Sequence, residues 1–386
     1  MIHRLLLPLA FAAALAGMGC HDDEGQNNLP PPRGDLIGLT YANPAAMAVN
    51  SARHWALLLH DRSSPRGTAL QLVDLDQHSV VATQVLDYYD AFDVIFLFGD
   101  EACFAGRTQD TRNYAIQFFS LPDLILGSRV VVADTSGVHG YLAADSAGQA
   151  VYYTQAGGGN HDAIYKISLT SKTIVDADDD GHAPFGFDNH LVANLLAHPA
   201  RISVDASTHK LLVANLDDDY ITMIDSSLWG TVHRGGLTFP IPGTSHLNTL
   251  YGGLTRARAE AMGGGGGIYV FAGGSGTSTF LSRFEATSVQ PYPPETPPGI
   301  TWLFRNADIW VHPDQSIFSA FVLQRDSSGV NVGKYGLNNL RSVRGSPYHM
   351  QVIPDSAIGA IGLDIILNKI VVADAREPRL ELIAVH

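Results

Sequence analysis

One pattern returns along most of this chain: an apolar strand, a small polar turn, a second apolar strand ending in a polar residue, then a third strand. The clearest copy occupies residues 200–232, ARISVDASTHKLLVANLDDDYITMIDSSLWGTV. Aligned on the turn after the first strand, the copies close on Asn50 (AAMAVN), Asp145 (GYLAAD), Asp205 (ARISVD), His312 (ADIWVH) and Asp364 (AIGLD). Two further copies are less regular, one turning at Gly99-Asp100 and one through the five glycines at 263–267. A spacing of roughly 45–60 residues belongs to propellers and solenoids. A sheet of a few short strands cannot bury its own faces, so such sheets must bury one another.

The strand assignments follow from pattern. Continuous apolar runs such as Leu211-Leu212-Val213, Val151-Tyr152-Tyr153 and Ile370-Val371-Val372 suit strands covered on both faces. The strand that follows (ALQLVDL, AIYKISL, ITMID) alternates apolar and polar residues, as expected of a half-buried strand. The last copy ends after its third strand, whereas a strand at residues 35–41 stands unattached at the front. These features predict an all-β chain whose residues 35–386 form one seven-bladed β-propeller, closed when the N-terminal strand completes the last sheet.

The segment LLVANLDDDYITMID (residues 211–225) resembles the repeat of the YVTN family of bacterial β-propellers, and IVVADAREPRLELIAV is a degenerate second match. The resemblance implies the propeller fold and a bacterial envelope setting. It implies no particular activity, because folds host many functions.

The first residues agree with such a setting. Arg4, an apolar run over residues 5–16 and Gly17-Met18-Gly19-Cys20 read as a secretory signal, with residues 1–19 removed and Cys20 lipidated. Ordinary secretion with an incidental cysteine is the alternative. Residues 20–34 then form a polar, proline-ended tether. By resemblance to Gram-negative lipoproteins, His21 after the cysteine favours the outer membrane, with the folded domain periplasmic or extracellular. Cys103 is the one remaining cysteine, so no disulfide forms within the folded part. The net charge of −14 opposes nucleic acid as a partner and leaves the lipid as the route to the membrane.

In propellers of this resemblance, the loops between second and third strands surround the central channel mouth, the usual ligand site. That argument selects His60, Asp61, Arg107, Gln155, Asn215, Gln324, Arg325, Asp374 and Arg376 as a ligand-binding face of mixed charge. The sharpest local motif is Asp176-Ala-Asp178-Asp-Asp180-Gly181. Three alternating carboxylates before a glycine open a calcium loop, with Asp188 in reach as a fourth ligand; a solvated acidic loop is the alternative. The run Asp217-Asp218-Asp219 reads as a solvated turn, and the proline-rich stretch at 291–299 as a stiff connector. No nucleophile elbow and no phosphate loop is present. The leading expectation is a cell-envelope lipoprotein that binds a protein or polysaccharide partner through its loop face without chemistry of its own. The alternative is a calcium-dependent, lactonase-like hydrolase, for which Asp61, Asn215 and Asp374 would have to converge.

Overall fold

The computed structural model describes residues 35–386, apart from 64–65, 133–139, 158–160, 184, 206–207, 216–219, 231–243, 249–255, 262–267, 276–277, 286–300, 303–308, 312–318, 327–328, 337–347, 351, 355–356 and 386. In the strands of residues 244–320, and at residues 62, 63, 66, 220, 322, 324–326 and 329, only the backbone is described. The signal, Cys20 and the tether lie outside the described residues, as do Asp217–Asp219, the glycines at 263–267 and the stretch at 291–299.

The described strands assemble into seven antiparallel sheets. The first contains Pro44–Asn50, Trp55–Ser63, Arg66–Asp74 and Ser79–Leu86, paired in that order. The second, Tyr88–Phe96, Glu101–Thr108, Tyr114–Ser120 and Ile125–Val132, repeats this meander. The fourth does the same with Pro199–Asp205, Lys210–Asn215, Tyr220–Asp225 and Thr244–Asn248. In the third, Leu142–Asp145, Ala150–Gln155 and Ala163–Ser168 are followed by a broken outer strand. Its halves, Ile174–Val175 and Phe187–Asp188, both pair with Ala163–Ser168. The fifth has three described strands, and the sixth five, three of them short.

The seventh sheet carries the closure. It holds Ile358–Asp364, Lys369–Asp374 and Arg379–Ala384, and its outer position is filled by Asp35–Gly38 from the other end of the chain. Asp35 faces Leu382, Ile37 faces Leu380 and Gly38 faces Arg379 in an antiparallel register. The unattached strand of the sequence therefore completes the last sheet, with four residues in place of the seven expected. Ile37 is its one buried side chain and enters a core shared by the first and seventh sheets, with Met47, Leu58, Val371, Leu380 and Leu382. That seam is tight: a Cβ on Gly359 would lie 2.5 Å from Pro44 Cγ, and one on Gly362 2.4 Å from Val49 Cγ2.

Other cores lie between consecutive sheets in the same way, joining first to second, second to third, third to fourth and sixth to seventh. This is why the second strands are apolar throughout: Leu57 and Leu59 serve one seam while Leu58 serves the opposite one.

The repeated turn has a physical basis. Asn50, Asp145 and Asp364 each end a first strand, and their side-chain oxygens accept backbone N–H groups from the following turn: Arg53 at 3.3 Å, Gly148 at 2.9 Å, and Ile366 and Leu367 at 3.0 and 2.9 Å. The turn's last residue takes a left-handed backbone, with φ of 55° at His54, 47° at Gln149, 56° at His209 and 51° at Asn368.

Candidate functional site

At the loop end, the first strands of four sheets carry a register shift, at Pro44/Ala46, Tyr88/Asp90, Pro199/Ile202 and Ile358/Ala360. The bulge bends each strand as it enters. Opposite it, the second strand places His60, Thr108, Asn215 or Asp374. His60, Gln155, Asn215 and Asp374, read from the sequence as facing the channel mouth, are buried, as is Thr108. Their hydrogen bonds go to the connectors, hairpin turns and neighbouring strands of the protein itself.

Asn215 Oδ1 accepts the N–H of Ala197 at 2.9 Å, and its Nδ2 donates to Thr222 Oγ1 at 2.9 Å. Asp374 Oδ1 accepts the N–H groups of Arg376 and Glu377, while its Oδ2 accepts from Arg379 Nε at 2.9 Å. His60 Nδ1 lies 3.1 Å from the Ala42 carbonyl, which fixes the neutral ring's proton on Nδ1. Its Nε2 is buried without a partner, and burial pulls its pKa down to about 4. Gln155 Oε1 is likewise buried with no hydrogen-bond partner. Arg107 is half-buried and clasps both oxygens of Asp90, each 3.1 Å from Nε; these bonds raise its pKa above the ordinary arginine value. Asp61 and Arg376 are exposed. Gln324 and Arg325 lie in the strand Ser319–Asp326, where only the backbone is described.

A second set of buried polar residues escapes sequence reading. Gln71, Thr222 and Glu381 sit in third strands, at polar positions of the alternation that reads as half-buried. Each is fully buried and pins the connector entering its own sheet. Gln71 Oε1 accepts from Tyr41 N at 3.2 Å, Thr222 Oγ1 donates to the Leu195 carbonyl at 2.7 Å, and Glu381 accepts from Val352 and Ile353 N. The connectors cross the sheet end and would otherwise carry unpaired backbone groups into a covered position. Asp162 does similar work, accepting from Gly157 N and His198 N at 2.9 and 2.8 Å. Charges inside the first-strand sequence YYDAFDVIF were the available signal for Asp90 and Asp93. Asp93 Oδ2 accepts Leu142 N from the next sheet at 2.9 Å and lies 3.9 Å from Arg201. Arg201 in turn stacks 3.9 Å over the Tyr141 ring.

The acidic loop interrupts the outer strand of the third sheet between Val175 and Phe187. Asp176, Asp178 and Asp180 converge, one oxygen of each lying within 4.8 Å of the others. Asp176 accepts from Asp178 N at 3.3 Å and Gly181 N at 2.7 Å, and Gly181 has φ of 73°, as the tight turn requires. The loop is anchored on the fourth sheet's side: Trp229 Nε1 donates to Val175 O at 3.2 Å, and Gly230 N to Ala177 O at 2.8 Å. Asp188 does not join the trio. It is paired opposite Ala163, and its Oδ1 caps His190 N and Leu191 N, both at 2.9 Å. Three hard carboxylate donors fit a calcium ion, whose remaining coordination would come from carbonyls and water.

No protein-family profile matches the chain, and no curated protein sequence does. Solved structures do. Chaetomium thermophilum Raptor superposes with a TM-score of 0.61 at 12% identity, over 92% of this chain and 29% of that one. A chain of the mitotic checkpoint complex gives 0.59 at 8% identity, over 99% of both chains. The β-propeller domain of Myceliophteria thermophila Cps50 (Swd1) gives 0.56 at 9% identity, over 90% of this chain and 99% of that one. At these identities the likeness concerns fold alone, and it agrees with the sheet-on-sheet packing above: the chain has a β-propeller fold.

Proposed function

We propose that this protein is a seven-bladed, YVTN-like propeller of the bacterial envelope, lipid-anchored through Cys20, that binds a protein or polysaccharide partner through its loop face and performs no chemistry. One observation carries the reading. The buried polar side chains of the second strands bond within the fold, Asn215 to Ala197 and Asp374 to Arg379, while Asp61 and Arg376 are exposed. Solved neighbours that include a chain of a multi-protein assembly agree with a binding role.

Photo-crosslinkers at Asp61 and Arg376, with a control at the exposed turn residue Thr170, test it in cells. The same envelope component should be captured at both loop positions and not at Thr170. Capture at Thr170 alone, or none at the loop positions, defeats the binding reading. Cys20→Ala should release the protein from the membrane fraction; retention with unchanged lipid labelling defeats the anchor.

The carboxylate trio supports a second element of the proposal, a calcium site formed by Asp176, Asp178 and Asp180. Its place at the junction with Trp229 and Gly230 suits a structural ion that braces the third sheet against the fourth.

A further inference from the structure

Two arginines differ from the others whose side chains are described. Arg53, Arg107, Arg201 and Arg379 each lie against an aspartate or glutamate, and Arg129 interacts with the Tyr88 hydroxyl and with Asp110. The guanidinium groups of Arg112 and Arg376 meet no carboxylate among the described residues, and both side chains are exposed. Acidic side chains outnumber basic ones 38 to 24 in the chain, so carboxylate partners are not scarce.

The two arginines occupy corresponding places. Arg112 lies between the second and third strands of the second sheet, and Arg376 between those of the seventh. Both loops therefore belong to the loop face. They flank the first sheet, which shares one core with the seventh sheet and another with the second. Both are fixed by backbone bonds. Thr108 N donates to Asn113 O at 3.0 Å, and Asp110 Oδ1 accepts Thr111 N at 2.8 Å. Arg376 N donates to Asp374 Oδ1 at 2.8 Å. The Arg112 guanidinium carbon lies 3.5 Å from the centre of the Tyr89 ring. Stacking engages the flat face of a guanidinium and leaves its N–H edge for an anion. The nearby acids are engaged: Asp110 by Thr111, Glu377 by Arg379 Nη1 at 2.9 Å, and Asp61 by a contact within the chain.

Spacing and composition choose the occupant. Packed sheets lie about 10 Å apart, so arginines two sheets apart are separated by about 20 Å. One small anion cannot reach both, whereas a polymer with repeated anionic groups can. The exposed residues 109–112 and 376–378 include no large apolar side chain. A protein partner would need buried aromatic or apolar anchors at the centre of its interface. A hydrated polyanion needs none.

We infer that Arg112 and Arg376 are two carboxylate-binding subsites for an acidic polysaccharide that crosses the loop face over the first sheet. This rests on the loop-face binding reading and names the class of polymer within it. The carboxylate of a uronic acid unit accepts paired N–H groups from a guanidinium, the geometry that makes arginine selective for such groups.

The test presents the full-length protein to immobilised polygalacturonate, with dextran as the uncharged control and poly-L-glutamate as the acidic-peptide control. The protein should bind polygalacturonate, release it as salt rises, and ignore dextran. Arg112→Gln and Arg376→Gln should each weaken binding about fivefold, and the pair about 25-fold, since the sites are far apart. Lys210→Gln removes a charge paired with Asp225 at the other end of the fourth sheet and should leave binding unchanged. Equal binding by wild type and double variant, or equal retention on dextran, overturns the subsites. Retention on poly-L-glutamate alone would assign the face to an acidic protein and overturn the proposal. If polygalacturonate is not bound while crosslinkers at Asp61 and Arg376 still capture an envelope component, the loop-face reading stands and this proposal fails. If neither is seen, both fail.

Discussion

Acidification should weaken this fold through His60, and the size of the effect follows from the geometry of its ring. The neutral ring keeps its proton on Nδ1, facing the Ala42 carbonyl, and buries Nε2 with no partner. Protonation would place a second N–H, and a charge, where no acceptor stands; hence the fall in pKa from 6.5 to about 4. In the unfolded chain the imidazole takes up a proton as pH falls through 6.5, whereas the folded chain resists until about 4. The unfolded state therefore binds more protons in that window, and stability is full above pH 6.5 and declines towards pH 4. The complete shift corresponds to about 3 kcal/mol, of which about 2 kcal/mol should be lost by pH 5. For a domain of this size that is about 3 °C in Tm. His60→Gln retains a side-chain donor for Ala42 and cannot titrate, so it isolates this group from every other acid-sensitive pair. Thermal and urea unfolding of both proteins at pH 8, 7, 6 and 5, as test conditions, should show the wild type losing about 2 kcal/mol relative to the variant. Parallel pH profiles would refute the argument, because they would mean that His60 is solvated or already paired in the folded state.

Three further outcomes follow from the closure, the seams and the acidic loop. Ile37→Ala should cost about 2–4 kcal/mol, since it empties a position buried between the first and seventh sheets, whereas the neighbouring, exposed Leu36→Ala should stay within about 0.5 kcal/mol; equal losses in urea unfolding would contradict the latch. Asp364→Ala should cost about 3 kcal/mol, because the buried carboxylate accepts from Ile366 N and Leu367 N and meets His54 Nδ1 of the first sheet at 3.0 Å; a loss below about 1 kcal/mol would show that this seam does not depend on it. Calcium at millimolar concentration should raise the Tm of the wild type and leave Asp178→Asn unmoved; an equal rise in both, or none in the wild type, excludes the trio as the site.

Period and composition in the chain reach a long way. The recurrence on Asn50, Asp145, Asp205 and Asp364, with apolar second strands between, is enough to require sheets that bury one another, and the spare strand ahead of Pro44 predicts where the last sheet finds its missing member. The alternating carboxylates before Gly181 likewise announce their own convergence, because the spacing acts within one short turn. These readings rest on contacts made locally or repeated at a constant interval. The destination of the polar residues is a different matter. His60, Asn215 and Asp374 look like a rim open to ligands, and Gln71, Thr222 and Glu381 look like the wet side of a half-buried strand. The tertiary structure buries all six: connectors crossing from one sheet to the next bring backbone N–H and C=O groups over His60, Asn215, Gln71, Thr222 and Glu381, while Asp374 takes up the N–H groups of its own hairpin turn and the Arg379 side chain. Asp188 does not converge with the acidic trio but pairs opposite Ala163 and caps His190 N and Leu191 N. A residue's place in the repeat sets which strand it occupies; which distant backbone group passes over it is decided only when the sheets pack.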